Sequence, residues 1–142
     1  MEVLDRIINT LEQIKEDLPR LIGEVMNENK TLIEDLNIKQ LQEGKRSDGS
    51  TLPDYSPTSV FKYGKKPGPM VLEDTGAFYR GIEVKVSPNF AEIIGTDPKT
   101  KKLENSYGVE IVGISEEHID ELVTTILLPG LREKVKQKYF AR

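Results

Sequence analysis

Across residues 4–36 the apolar side chains keep helical spacing through a proline, and that pattern restricts the fold more than any other feature of the chain. Leu4, Leu11, Leu18, Val25 and Leu32 occupy one heptad position, Ile7, Ile14 and Leu21 a second, and Ile8, Ile22 and Ile33 widen the stripe. Residues three and four apart lie one above another on a helix, so a long amphipathic helical region is expected over residues 1–43. Pro19 lacks an amide donor and crowds the preceding turn, which predicts a kink there or a restart with Asp17 as cap. The phase survives the proline, which favours two pieces in line over a reversal. Glu28 and Asp35 interrupt the second heptad position, so the stripe is expected to pack on the protein's own sheet rather than to form a free-standing coiled coil.

The helical pattern stops at Gly44. Residues 44–70 carry Asp48-Gly49, Pro53-Asp54, Ser56-Pro57, Gly64, Pro67, Gly68 and Pro69, enough breakers to predict one long irregular loop. Leu52, Tyr55, Val60, Phe61 and Tyr63 are too much apolar matter for a tether, so the loop is expected to order against a neighbouring surface, its own or a partner's. A β region is expected over residues 71–114. Ile82, Val84 and Val86 alternate with Glu83 and Lys85, Ser87-Pro88-Asn89 supplies a turn, and residues 90–94 return as a second strand. Residues 96–102 read as a polar, exposed tip, and residues 107–112 as a further short strand or extended segment. In the C-terminal helical region, 115–142, Ser115 caps a helix whose stripe is Ile119, Leu122, Val123, Ile126 and Leu127; Pro129-Gly130 is expected to end or kink it before a basic last segment. The whole is a single α+β domain with a small antiparallel sheet between helical ends.

At 142 residues the chain is one ordinary domain, but 31% of it is charged and it has no tryptophan, so part of its burial is expected from a partner. It lacks cysteine, which removes disulfides and thiolate metal sites. No apolar run is long enough for a membrane span, and the first five residues lack the layout of a signal peptide, so the chain is expected to be soluble and unexported. Charge is segregated: residues 1–37 and 69–129 are acidic, while residues 39–68 and 130–142 are basic. Such zoning suits self-association or a charged partner. The candidate contact residues are Tyr55, Phe61, Lys62, Tyr63, Lys65 and Lys66 in the loop, and Arg132, Lys134, Lys136 and Lys138 near the C-terminus.

One triplet invites a catalytic reading. Asp74-Thr75-Gly76 matches the loop of aspartic proteases, in which two copies each supply one carboxylate to a shared proton. Glu73 would be drawn into that dyad at electrostatic cost, and Ile93-Ile94-Gly95, which has the apolar-apolar-Gly form of a bracing segment, follows too closely. The plainer reading is a turn in which Asp74 or Thr75 satisfies backbone amides while Leu72, Phe78 and Ile82 face the core. His118, the only histidine, is expected partly exposed at the start of an acidic helix, which leaves neither a triad base nor a histidine metal cluster. No cofactor or metal is expected. Lys62, Lys65 and Lys66 with Phe61 and Tyr63 are the residues a nucleic-acid backbone would meet.

The order of these parts resembles the virion morphogenesis proteins of tailed bacteriophages, also called tail completion or neck proteins. The residues that carry the resemblance are Gly44, Asp48-Gly49, Tyr55-Ser56-Pro57-Thr58, the basic stretch 62–66 and Leu72-Glu73-Asp74-Thr75-Gly76-Ala77-Phe78, with a looser echo in Tyr107-Gly108 and Gly113-Ile114-Ser115. The resemblance implies a non-enzymatic α+β subunit of a homo-oligomeric ring at the head-to-tail junction. Its partners would be portal or adaptor proteins and tail proteins, with DNA nearby and no membrane, in the virion and in host cytoplasm during assembly. Tyr55 stands where the family often has tryptophan, and neither the long N-terminal helix nor the basic C-terminus maps onto the pattern. A homodimeric protease using Asp74 and a basic-loop nucleic-acid binder are the alternatives.

Overall fold

The computed structural model describes residues 2–87 and 90–141. Helix α1 (Glu2–Glu28) passes Pro19 without a break. The carbonyl that Pro19 cannot bond belongs to Lys15, and both residues are exposed, so water can take the missing donor's place. The interruption falls instead at Asn29 (φ −119°, ψ 23°), before α2 (Lys30–Gln42). Asn29 Nδ2 donates to the Val25 carbonyl at 2.7 Å and the Ile33 amide donates to the Asn29 carbonyl at 3.1 Å, so hydrogen bonding continues from one helix to the next across the single non-helical residue.

The segment after Gly44 is ordered but not wholly irregular, because it contains α3 (Pro57–Tyr63). Ser56 caps it by accepting from the Ser59 amide, Pro57 sits in the first turn where no donor is needed, and Gly64 closes it in the left-handed conformation. A single turn, α4 (Ala77–Arg80), then leads into the antiparallel pair β1 (Ile82–Ser87) and β2 (Phe90–Gly95). The register sets Ile82 opposite Gly95, Val84 opposite Ile93 and Ser87 opposite Phe90. Ile82 and Val84 are buried while Glu83 and Lys85 are exposed, as the alternation predicts. The expected turn at Ser87-Pro88-Asn89 has Pro88 and Asn89 outside the described residues.

The polar link 96–102 is largely exposed, as expected, but its last three residues open α5 (Thr100–Tyr107), whose first residue is buried. The presumed strand at 107–112 is corrected: it is the end of that helix followed by a 3-10 turn, Val109–Ile111. Gly108 at φ 97° separates the two, so the extended reading fails on backbone direction. Ser115 caps α6 (Glu116–Leu122) as expected. Pro129-Gly130, however, does not end the helix. A π-helical turn over Val123–Leu127 widens the coil just before the proline, and α7 (Leu128–Val135) continues into a second π-helical turn, Lys136–Phe140. Gly130 serves close packing: a Cβ there would lie 2.8 Å from Val25 Cγ1.

The core has two parts. Leu41, Leu52, Phe78, Tyr79, Ile82 and Ile111 form one, joined by the half-buried Leu72; Ile33, Val84 and Leu122 form the other, between α2, the sheet and α6. Glu34 Oε2 accepts from the Val84 amide at 2.9 Å, which satisfies a donor on the outer edge of β1.

Candidate functional site

The basic loop is built as a closed clasp. Gly44 turns at φ 72°, and a side chain there would collide with Pro69 and approach the Met70 carbonyl at 3.3 Å. Its own carbonyl accepts from the Leu52 amide at 2.7 Å, the Tyr55 amide donates to Gly68 at 2.9 Å, and Met70 donates to Pro53 at 2.8 Å. Arg46 holds the first arm by donating from Nε to the Tyr107 carbonyl at 2.6 Å and from Nη1 to Thr51 at 2.9 Å. Asp48 Oδ1 accepts from the Ser50 hydroxyl and from the Ser50 amide at 2.9 Å, and the hydroxyl first, then the amide, hold its carboxyl below the usual range.

The clasp brings together the candidate loop residues in unequal ways. Tyr55 faces inward, its hydroxyl accepting from the Val71 amide at 3.2 Å. Lys65 Nζ donates to the Glu73 carbonyl at 3.0 Å and lies 5.7 Å from the Tyr55 ring centre, so it is occupied within the chain. Phe61, by contrast, is 88% exposed, and Lys62, Tyr63 and Lys66 are exposed beside it. Lys62 Nζ stands 5.6 Å from the Tyr63 ring centre. The result is a projecting basic and aromatic knob on a tied base.

Asp74-Thr75-Gly76 is a turn, and the capping oxygen in it is Thr75's. The Ala77 amide donates to Thr75 Oγ1 at 3.3 Å, Arg80 Nη1 donates to the Thr75 carbonyl at 3.2 Å, and Gly76 stands at φ 82°. Asp74 is exposed and does not cap α4, so of the two expected alternatives it is Thr75 that satisfies the amide. Leu72 is held at φ 56° while packing into the core, a conformation rare outside glycine. Below the turn, Tyr79 donates to the Val71 carbonyl; burial, then the charge of Glu73, raises its hydroxyl above the ordinary tyrosine range.

The C-terminal bases divide likewise. Lys134 Nζ reaches Glu28 Oε1 at 2.6 Å and Glu24 Oε2 at 3.4 Å, and Lys138 pairs with Asp17. Asp17 also accepts from Arg20 Nε at 2.8 Å and from the Tyr139 hydroxyl at 2.9 Å; Arg20 first, then Lys138, hold its carboxyl well below the usual carboxylate range. These contacts latch the C-terminal helix antiparallel on α1. Arg132 and Lys136 remain exposed.

Sequence reasoning missed a buried polar network. Asn37 Nδ2 donates to the Ile111 carbonyl at 3.1 Å and Asn37 Oδ1 accepts from the Gly113 amide at 2.8 Å. Gln40 Nε2 donates to the Gly113 carbonyl at 3.2 Å, and Gln40 Oε1 accepts from the Ser115 amide at 2.8 Å. His118 is buried, not partly exposed, with Nδ1 3.2 Å from the same Gln40 oxygen; that acceptor places the proton on Nδ1. The available signal was Asn37 and Gln40 sharing the helical face of Ile33. Among the described residues no group of three or more His, Asp or Glu side chains is placed to hold a metal ion, and no helix is long and apolar enough to cross a membrane.

The molecule is thus an α+β domain with a basic and aromatic knob exposed on its surface. Comparison with protein-family models, curated proteins and solved structures found no match for this chain.

Proposed function

We propose that the chain is a structural subunit of a ring at the head-to-tail junction of a tailed bacteriophage, a connector or tail completion protein joining a portal or adaptor to the tail. The observation that supports this reading best is that the segment resembling that family, from Gly44 to Phe78, forms one internally tied unit that presents Phe61 and Tyr63 outward. A tied base with a projecting tip suits a contact made repeatedly around a ring, since little ordering entropy is lost on docking. The second support is the apolar face at the start of α1, exposed in a domain already short of buried area. The turn at Asp74 precedes a helix rather than closing a strand of an all-β lobe, so the protease alternative gains no support from its geometry.

Light scattering coupled to size-exclusion chromatography tests the proposal. A ring subunit elutes as a species larger than a dimer, with portal or tail proteins as its further partners; a stable dimer that cleaves peptides at acid pH, and loses the activity on Asp74→Asn, would overturn it.

A further inference from the structure

The two ends of the chain lie side by side with little core between them. Helix α1 buries only Leu21 and Val25, and neither α7 nor the π-helical turn after it buries any residue. Gly130 packs closely, since a Cβ there would lie 2.8 Å from Val25 Cγ1. Beyond it Leu131, Val135 and Tyr139, spaced four apart, are only half-buried, as are Ile14 and Leu18 on α1.

What ties residues 131–140 down is therefore largely polar. Among the described residues, every side-chain hydrogen bond and ion pair from this segment to the rest of the chain ends on α1, and each comes from Lys134, Lys138 or Tyr139. The two lysines are set against Asp17, Glu24 and Glu28. Each ion pair keeps one partner well open to water: the Lys138 side chain is 47% exposed against 13% for Asp17, and Glu28 is 61% exposed against 21% for Lys134. Exposed ion pairs are individually weak, and salt weakens them further.

We propose that residues 131–140 are a salt-released strap, which leaves α1 as a unit while the rest of the domain stays folded. Segments with few buried apolar contacts and open hydrogen bonds part from a fold at a lower cost than global unfolding, and this segment has both properties. Pro129 removes one helical hydrogen bond and Gly130 adds backbone freedom, so the strap has a place to swing from. Opening changes the surface as well as the shape. Lys134 and Lys138 lose their acids and join the exposed Arg132 and Lys136, which turns a half-satisfied helix into one carrying four free cations against the single acid Glu133. Every contact used here lies within one chain, so the inference does not rest on the ring-subunit reading.

Amide hydrogen exchange read by mass spectrometry tests it, because a detached helix this short is marginal in water and exchanges its amides when it opens. The reference is the stretch 33–41 of α2, which contains the fully buried Ile33, Asn37, Gln40 and Leu41. Residues 131–140 should exchange faster than this reference at constant neutral pH. Their rate should rise about three- to tenfold between about 20 mM and about 500 mM sodium chloride, while the reference stays constant. A Lys134→Gln and Lys138→Gln double variant should show the fast rate already at low salt and respond little to more. Protection of residues 131–140 equal to that of the reference would mean that they open only with the whole domain, and would overturn the proposal. A strap rate that ignores salt, or a double variant that keeps the parent's salt response, would overturn it equally, since half-buried apolar contacts alone would then be holding the segment.

Discussion

Replacing Asn37 by alanine should be among the most damaging single changes outside the apolar core. Asn37 is 0% exposed and spans two backbone groups of the segment that leads into α6, the Ile111 carbonyl at 3.1 Å and the Gly113 amide at 2.8 Å. Alanine leaves both without a partner. Each unsatisfied buried group costs about 1–3 kcal/mol. Ile111 is fully buried and meets the upper part of that range, whereas Gly113 is half-buried and water can reach it. The expected loss is about 2–4 kcal/mol, a fall in melting temperature of roughly 6–12 °C for a domain of this size. Urea unfolding followed by circular dichroism reads it directly: the midpoint should fall while the slope stays constant. A loss below about 0.5 kcal/mol, the scale of an ordinary surface change, would show that the Asn37 bridge does not hold α2 to this segment.

Gly44→Ala should cost about 2 kcal/mol or more, because it adds a left-handed φ penalty to a collision with Pro69, and the same unfolding curve measures it. Asp74→Ala, at an exposed residue that caps nothing, should stay within about 0.5 kcal/mol of the parent; a larger loss would restore a structural role to that carboxylate. The Asp17 carboxyl is held below its unfolded value, so its contribution is complete above about pH 4, the unfolded range, and is lost as pH falls below that toward the folded value. Acid titration should therefore loosen the latch between α1 and the C-terminal helix, read by tyrosine emission in this tryptophan-free chain, and Asp17→Asn should flatten that response; a parent response as flat as the variant's would contradict the latch.

What the sequence made legible was periodic. The long N-terminal helix, the alternating strand over Ile82, Val84 and Val86, and the Ser115 cap are each written in spacing of three to four, spacing of two, or a local hydroxyl, and all appear in the fold. The errors came where tertiary contacts override a local signal. Pro19 reads as a kink or a restart, and of the two the restart does not occur, because on an exposed helical face the freed Lys15 carbonyl is open to water. Pro129-Gly130 reads as an end or a kink, and the end does not occur: the π-helical turn before it relieves the ring and the glycine lets α7 approach Val25. His118 reads as a surface residue beside Glu116 and Glu117, but Gln40 on a distant helix supplies the acceptor that makes its burial affordable. Of the candidate contact residues, type alone did not separate Lys65, Lys134 and Lys138, bonded within the chain, from the exposed Lys62, Lys66, Arg132 and Lys136.

The claim that this chain builds a ring is tested most directly by native mass spectrometry of the purified protein over a concentration series. The account predicts one dominant closed stoichiometry larger than two, lost on Phe61→Ser while the monomer's melting temperature holds, since a residue 88% exposed contributes little to the fold. A spectrum that stays monomeric or dimeric at every concentration, or one that Phe61→Ser leaves unchanged, would contradict it.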